Sequence, residues 1–236
     1  MIVYLKEKIG FLLFFLLFLS FNAHTLGVSP TYLVISPKEP ITNLTLSNEG
    51  DSEITMQLEL VEWNQYNGKD RYTPSDDLII TPQIFILPPH GEQLVRLGME
   101  KPLFGPQEKA YRLFAQEVVP KTVRRKKGEI KIAVRLSLPV VITTPNPPVQ
   151  QLVWRVESNK GATVKLRAEN RGTNVLFINT LQIASENHQV LTKPLQTFAY
   201  ILPGSIHQWV VKTSLLKKAS LIKATVNGKA VYTHVT

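Results

Sequence analysis

Apolar and polar residues alternate with a period of two along most of the chain. T-N-L-T-L over residues 42–46 and I-T-M-Q-L-E-L over 54–60 carry the pattern, which predicts strands with one buried and one wetted face. It recurs at 83–87, 93–97, 111–118, 129–142, 152–156, 163–168, 176–183, 198–202, 208–212, 221–226 and 229–235. Turn pairs separate these runs: Glu49-Gly50, Asn67-Gly68, His90-Gly91, Arg171-Gly172, Pro203-Gly204 and Asn227-Gly228. The last predicts a type I′ hairpin, because both central residues accept positive φ. No segment holds a 3.6-residue apolar stripe. Short strands at this spacing predict an all-β sandwich or barrel.

The N-terminus breaks the alternation. Residues 11–21 form a nearly unbroken apolar run behind Lys6 and Lys8, which reads as a secretory signal over residues 1–23. The run is too short for a bilayer span, which takes about 20 apolar residues. The expected location is therefore beyond the inner membrane, reached with removal of the signal. A second break, T-P-N-P-P at 144–148, cannot feed a sheet ladder and predicts a stiff connector. The expected organisation is a first domain over 24–143, a linker over 144–148 and a second domain over 149–236. The two pieces share a motif order. L-S-N-E-G at 46–50 is followed by I-L-P-P-H-G at 86–91, and A-E-N-R-G at 168–172 by I-L-P-G at 201–204, which favours two similar sandwiches.

Composition narrows the chemistry. The formal net charge is +9, and a basic balance suits nucleic acid, anionic lipid or carboxylate-bearing partners. A secreted location and the lack of interleaved aromatics argue against nucleic acid. The run R-R-K-K at 124–127 reads as a solvated loop, and Trp63, Trp154 and Trp209 read as core residues. There are no cysteines and five scattered histidines, so no metal site is expected. No nucleophile elbow or phosphate loop occurs, and Asp76-Asp77 reads as a solvated turn. The expectation is a non-enzyme with no catalytic residues, no cofactor and no small-molecule substrate.

Residues 129–142 (E-I-K-I-A-V-R-L-S-L-P-V-V-I) stand apart. Ile130, Ile132, Val134, Leu136 and Leu138 share one face of a strand over roughly 26 Å, given about 3.3 Å per residue. A basic loop before it and a proline linker after it point to an edge strand, which proteins normally suppress when it is long and apolar. An interior strand is the alternative.

With V-E-W-N-Q at 61–65, L-P-P-H-G-E-Q-L-V-R-L at 87–97, Y-R-L-F-A-Q-E-V-V-P at 111–120 and I-K-I-A-V-R-L-S-L-P at 130–139, the chain resembles the periplasmic pilus-assembly chaperones. It is most similar to their archaic, Csu-like branch. The resemblance covers essentially the whole chain after the signal. It implies two immunoglobulin-like β-sandwich domains joined at an angle, with a cleft between them. It also implies that the last strand of the first domain enters the open groove of an incomplete pilus subunit, the strand-addition mode of recognition. Ile130, Ile132 and Val134 would be the principal inserted residues, extended by Leu136 and Leu138. A basic cleft residue would hold the subunit's C-terminal carboxylate. The better-known branch has an arginine in its first strand and a lysine in the donor strand. Here V-S-P-T-Y at 28–32 and Pro139 stand instead, which leaves Arg112 as the first candidate and Arg135 as the second. The resemblance makes the compartment beyond the inner membrane the periplasm. Implied partners are pilus subunits and an outer-membrane usher, with self-association of the unloaded protein. The competing readings are a two-domain surface adhesin and, more remotely, a secreted hydrolase.

Overall fold

The computed structural model describes residues 26–102, 104–118, 132–160, 163–212 and 221–235, and among them every regular element is a strand. The predicted signal, the basic run at 124–127 and Ile130 lie outside these residues. In chain order the first ten strands are β1 (Leu26–Ser29), β2 (Leu33–Ile35), β3 (Ile41–Asn48), β4 (Ile54–Tyr66), β5 (Lys69–Pro74), β6 (Leu78–Thr81), β7 (Ile84–Leu87), β8 (Glu92–Met99), β9 (Lys109–Glu117) and β10 (Arg135–Ile142). They form two sheets, β1-β3-β8-β6 and β2-β10-β9-β4-β5, with β7 also paired to β4. The alternating faces of the two sheets enclose one core, including Leu44, Leu46, Met56, Leu58, Val95, Leu97, Leu113 and Val140.

The remaining strands are β11 (Leu152–Lys160), β12 (Thr163–Asn170), β13 (Leu176–Ala184), β14 (Leu195–Ile201), β15 (Ile206–Lys212), β16 (Leu221–Val226) and β17 (Lys229–His234). They form the sheets β11-β12-β15 and β14-β13-β16-β17 around a second core, which contains Trp154, Leu166, Ile178, Ile183, Ile201 and Trp209. The chain is thus two β-sandwiches. Among the described residues, no strand pairing joins one to the other.

The repeated motif is a structural device. Asn48, nearly sealed from solvent, donates through Nδ2 to the carbonyls of Ser52 (2.8 Å), Pro88 (3.0 Å) and Leu87 (3.2 Å), while Oδ1 accepts from Gly50 N–H (3.0 Å). Asn170 repeats this in the second sandwich. Its Nδ2 donates to Asn174 O (2.7 Å) and Ile201 O (2.9 Å), and Oδ1 accepts from Gly172 N–H (3.0 Å). In both halves the asparagine amide stitches the N-x-G turn to the I-L-P corner, so that a buried polar side chain is hydrogen-bonded through both its oxygen and its nitrogen. Gly172 is required here, since a Cβ would collide with the Val149 carbonyl.

The alternation missed β1, β2, β5 and β6. The first two and β6 have three or four residues, too few to establish a period. β5 is K-D-R-Y-T-P and exposed throughout. It is a strand because the Asn67-Gly68 turn, with φ of 51° and 74°, folds it back along β4. Asp77 is also used, contrary to the solvated expectation: it accepts a 2.6 Å hydrogen bond from the Tyr111 hydroxyl. Burial and that bond push the Tyr111 hydroxyl well above its ordinary pKa.

Candidate functional site

The site is built on the sheet of the first sandwich that faces the second. β10 pairs antiparallel with β9 from Arg135↔Gln116 to Ile142↔Lys109. On its other side β2 pairs only with Val140, Val141 and Ile142. From Arg135 to Pro139 that other edge therefore carries no strand among the described residues. The Glu117 N–H donates to Val134 O (2.9 Å), so the main-chain groups of even-numbered residues face β9. The groups of Arg135 and Ser137, by the alternation of an antiparallel ladder, face the open side.

The predicted strand is shorter than its pattern. Residues 132–134 are not strand: β9 ends at Glu117, and the last bond of its ladder with β10 is the one from Glu117 N–H to Val134 O. The apolar stripe also divides. Leu138 is 5% exposed and belongs to the protein's own first core, and Leu136 packs half-buried against that core. Offering Leu138 to a partner would mean opening that core. Val134 is half-buried and Ile132 is 78% exposed. The face that fills this protein's core near the linker runs on, without a break in phase, into residues that its own sandwich does not cover.

Arg112 and Arg135 project from that sheet's outer face. The Arg112 guanidinium carbon sits 3.7 Å from the centroid of Trp63 on β4 and 5.1 Å from that of Tyr200 on β14. Its Nε is buried and has no hydrogen-bond partner among the described residues. Tyr72, on β5, donates to Asp70 Oδ2 (3.1 Å). Its pKa is raised chiefly by burial and by Asp70, with Arg112 pulling it down. Arg135 differs. It lies 4.0 Å over the ring of Phe114 and pairs at 3.7 Å with Glu59, both partners substantially exposed.

The second sandwich closes the other side. Gln65 bolts β4 to β14: its amide donates to Tyr200 O (3.0 Å) and Asp70 Oδ1 (2.9 Å), and its Oε1 accepts from Leu202 N–H (3.0 Å). Glu108 makes a second bolt, accepting from Val175 N–H (2.6 Å) while its own N–H donates to Thr173 O (2.8 Å). Burial raises the Glu108 pKa, opposed by that backbone donor. Between the bolts lies a small apolar contact of Trp63, Ala110 and Val141 against Val175 and Leu202. Beside it a recess of about 200 Å³ is lined from both sandwiches, by Trp63, Gln65, Asp70 and Arg112 on one side and Phe198, Tyr200 and His207 on the other. Burial lowers the His207 pKa, so the imidazole is neutral at pH 7. Arg112 is then the cation of the recess, facing one aspartate.

Motif order brought Arg112 into view, whereas Trp63, Gln65, Glu108, Tyr200 and Phe198 were missed as site residues. Trp63 was expected in a core. It is 1% exposed, but its cover is the second sandwich and the guanidinium. Trp63 and Gln65 both lie in V-E-W-N-Q, one of the matching motifs, which was the available signal.

The family profile described as "Pili and flagellar-assembly chaperone, PapD N-terminal domain" matches residues 25–148, more than half of the chain. The chain belongs to this chaperone family. Solved structures extend the likeness through the second sandwich. One is the CsuC–CsuE chaperone–tip adhesion subunit pre-assembly complex from archaic chaperone-usher Csu pili of Acinetobacter baumannii. It matches at 22% identity and TM-score 0.68, over 90% of this chain and 98% of that one. The Salmonella enterica SafA pilin in complex with the SafB chaperone matches at 13% identity and TM-score 0.62, over 91% and 96%. The E. coli chaperone DraB matches at 16% and 0.61, over 90% and 97%. These likenesses establish the two-sandwich, immunoglobulin-like chaperone fold. A search of curated proteins by sequence returned no match. The family is one of assembly chaperones rather than enzymes.

Proposed function

We propose that the protein is a periplasmic chaperone that binds, folds and caps incomplete immunoglobulin-like pilus subunits by donor-strand complementation and delivers them to an outer-membrane usher. The observation that carries this reading is the edge of β10 from Arg135 to Pro139, unpaired among the described residues and continued by exposed Ile132 in phase with the core stripe. The related complexes with a pilin and with a tip adhesion subunit support it. In this reading residues 24–143 form the donor domain, 144–148 the linker and 149–236 the second domain. Ile132 and Val134, with Ile130 ahead of them, enter the subunit groove, and Leu136 marks where the protein's own core takes over. At about 1.5–3 kcal/mol per fully buried aliphatic side chain, three insertions contribute about 5–9 kcal/mol before ordering costs.

Arg112 holds the subunit's C-terminal carboxylate. Its guanidinium is oriented by two aromatic faces and lines the recess between the sandwiches, and a planar fork suits a carboxylate better than a point charge does. The same open strand suits self-association of the unloaded chaperone. The test is co-expression with a pilus subunit encoded beside it. The expected result is a soluble one-to-one complex with wild type, and none with Ile132→Asp. A complex indifferent to that substitution would remove strand donation from these residues.

A further inference from the structure

We infer that the cleft reads the side chain of a subunit's last residue as well as its carboxylate, with Phe198 setting a preference for a large apolar side chain and Asp70 rejecting an acidic one. This rests on the Arg112 reading above and adds a specificity that anchoring alone does not require.

Phe198 is 75% exposed on β14, at the edge of its sheet. It is not an isolated surface aromatic. Its ring lies 6.5 Å from that of Phe177, which stacks on Tyr200 at 4.5 Å, and Tyr200 meets Trp63 edge-on at 5.3 Å. Trp63 in turn carries the Arg112 guanidinium. A continuous aromatic wall thus runs from the cation outward, and Phe198 is its uncovered end. Phe198 and Arg112 line the same recess.

The other lining element has the opposite character. Asp70 keeps its carboxylate in place by accepting from Gln65 and Tyr72. A chain end that sets its carboxylate on Arg112 has one side chain left to accommodate between Phe198 and Asp70. An aromatic or long aliphatic side chain covers Phe198, removing apolar surface of both partners from water. An aspartate or glutamate side chain brings a second negative charge toward Asp70, and like charges repel, by a solvent-screened amount at this exposed carboxylate. Charge complementarity therefore selects a free carboxy terminus as occupant, and the wall selects its last side chain.

The test titrates the full chain with labelled synthetic peptides of one alternating apolar sequence that end in Phe, Ala or Asp. Each is made as the free acid and as the amide, and binding is read by fluorescence anisotropy. Wild type is expected to bind the Phe-ended acid about tenfold tighter than the Ala-ended acid, the scale of burying much of one aromatic ring, with the Asp-ended acid weakest. Phe198→Ala should bring the Phe/Ala ratio near one while leaving the acid-over-amide preference intact, and Phe198→Leu should restore part of the ratio. Asp70→Asn should narrow the penalty on the Asp-ended peptide. An unchanged Phe/Ala ratio in Phe198→Ala overturns the inference, as does an Asp-ended peptide that binds as well as the Phe-ended one, or no binding by any peptide. Loss of the acid-over-amide preference in wild type would instead refute Arg112 as the anchor, which a last-residue preference lost in Phe198→Ala would survive.

Discussion

Replacing Arg112 separates what the residue does for the free protein from what it does for a bound subunit. In the free protein the guanidinium stacks at 3.7 Å over Trp63 and lies 5.1 Å from Tyr200. Losing that contact costs about 1–2 kcal/mol of stability, the partly desolvated end of the cation–π range. In a complex, Arg112→Gln also leaves a carboxylate without its cation, and truncating one partner of a buried charge pair costs about 2–5 kcal/mol. At about 3 kcal/mol the dissociation constant rises about 150-fold. Arg112→Lys keeps the charge but loses the fork and the flat stacking surface, so about tenfold is expected. Arg135→Gln is the internal control. The Glu59 pair it breaks is solvent-exposed and of the kind worth about 0–1 kcal/mol, so binding should stay within about threefold. The assay lets tagged wild type and an untagged variant compete for limiting subunit and reads the ratio of the two complexes. Urea unfolding of each free variant checks that the fold is intact. If Arg112→Gln competes within about threefold of wild type, the anchor is not Arg112. If Arg135→Gln is the weaker competitor, the anchor lies one strand over.

Other substitutions test other parts of the argument. Ile132→Asp should leave the free protein's stability within about 0.5 kcal/mol, as for an exposed surface position, while Leu138→Ala should cost about 2–5 kcal/mol. Equal effects in urea unfolding would contradict the division of the stripe. Asn48→Ala removes bonds to three carbonyls and Asn170→Ala bonds to two, and each leaves a buried glycine N–H without its acceptor. Each should cost about 3 kcal/mol or more, since one unsatisfied buried group costs about 1–3 kcal/mol; a loss near zero would show the stitches to be incidental. For Glu108, burial raises the folded-state pKa above the unfolded one, so the folded protein holds this proton more tightly. Wild-type stability relative to Glu108→Gln should therefore rise as pH falls through the raised pKa and level off below the ordinary carboxylate range. A difference that stays flat in urea unfolding at several pH values would refute the burial argument.

What the alternation made legible was each strand's inner face, because a core imposes a period of two wherever one side of a sheet is dry. β3, β4, β8, β9, β13 and β16 follow from it directly. It failed at β5, whose exposed K-D-R-Y-T-P is held as a strand by a turn and by the register of β4, neither of which requires apolar residues. It overextended β10, since an apolar stripe continues as readily into a partner's core as along a protein's own ladder. The stripe alone could not mark where ownership changes. The N-x-G and I-L-P pieces were visible as a repeat, but their meaning, an asparagine amide reaching across about 30–40 residues of chain to a corner carbonyl, is a tertiary fact. The cleft was the least legible part. Trp63, Gln65 and Arg112 acquire their roles from Tyr200 and Leu202, residues of the other sandwich. A periodic pattern can say that an outward position is apolar or charged. It cannot say what will cover it. The outward faces of two sandwiches are free to hold function because neither core constrains them, and local pattern is silent about them for the same reason.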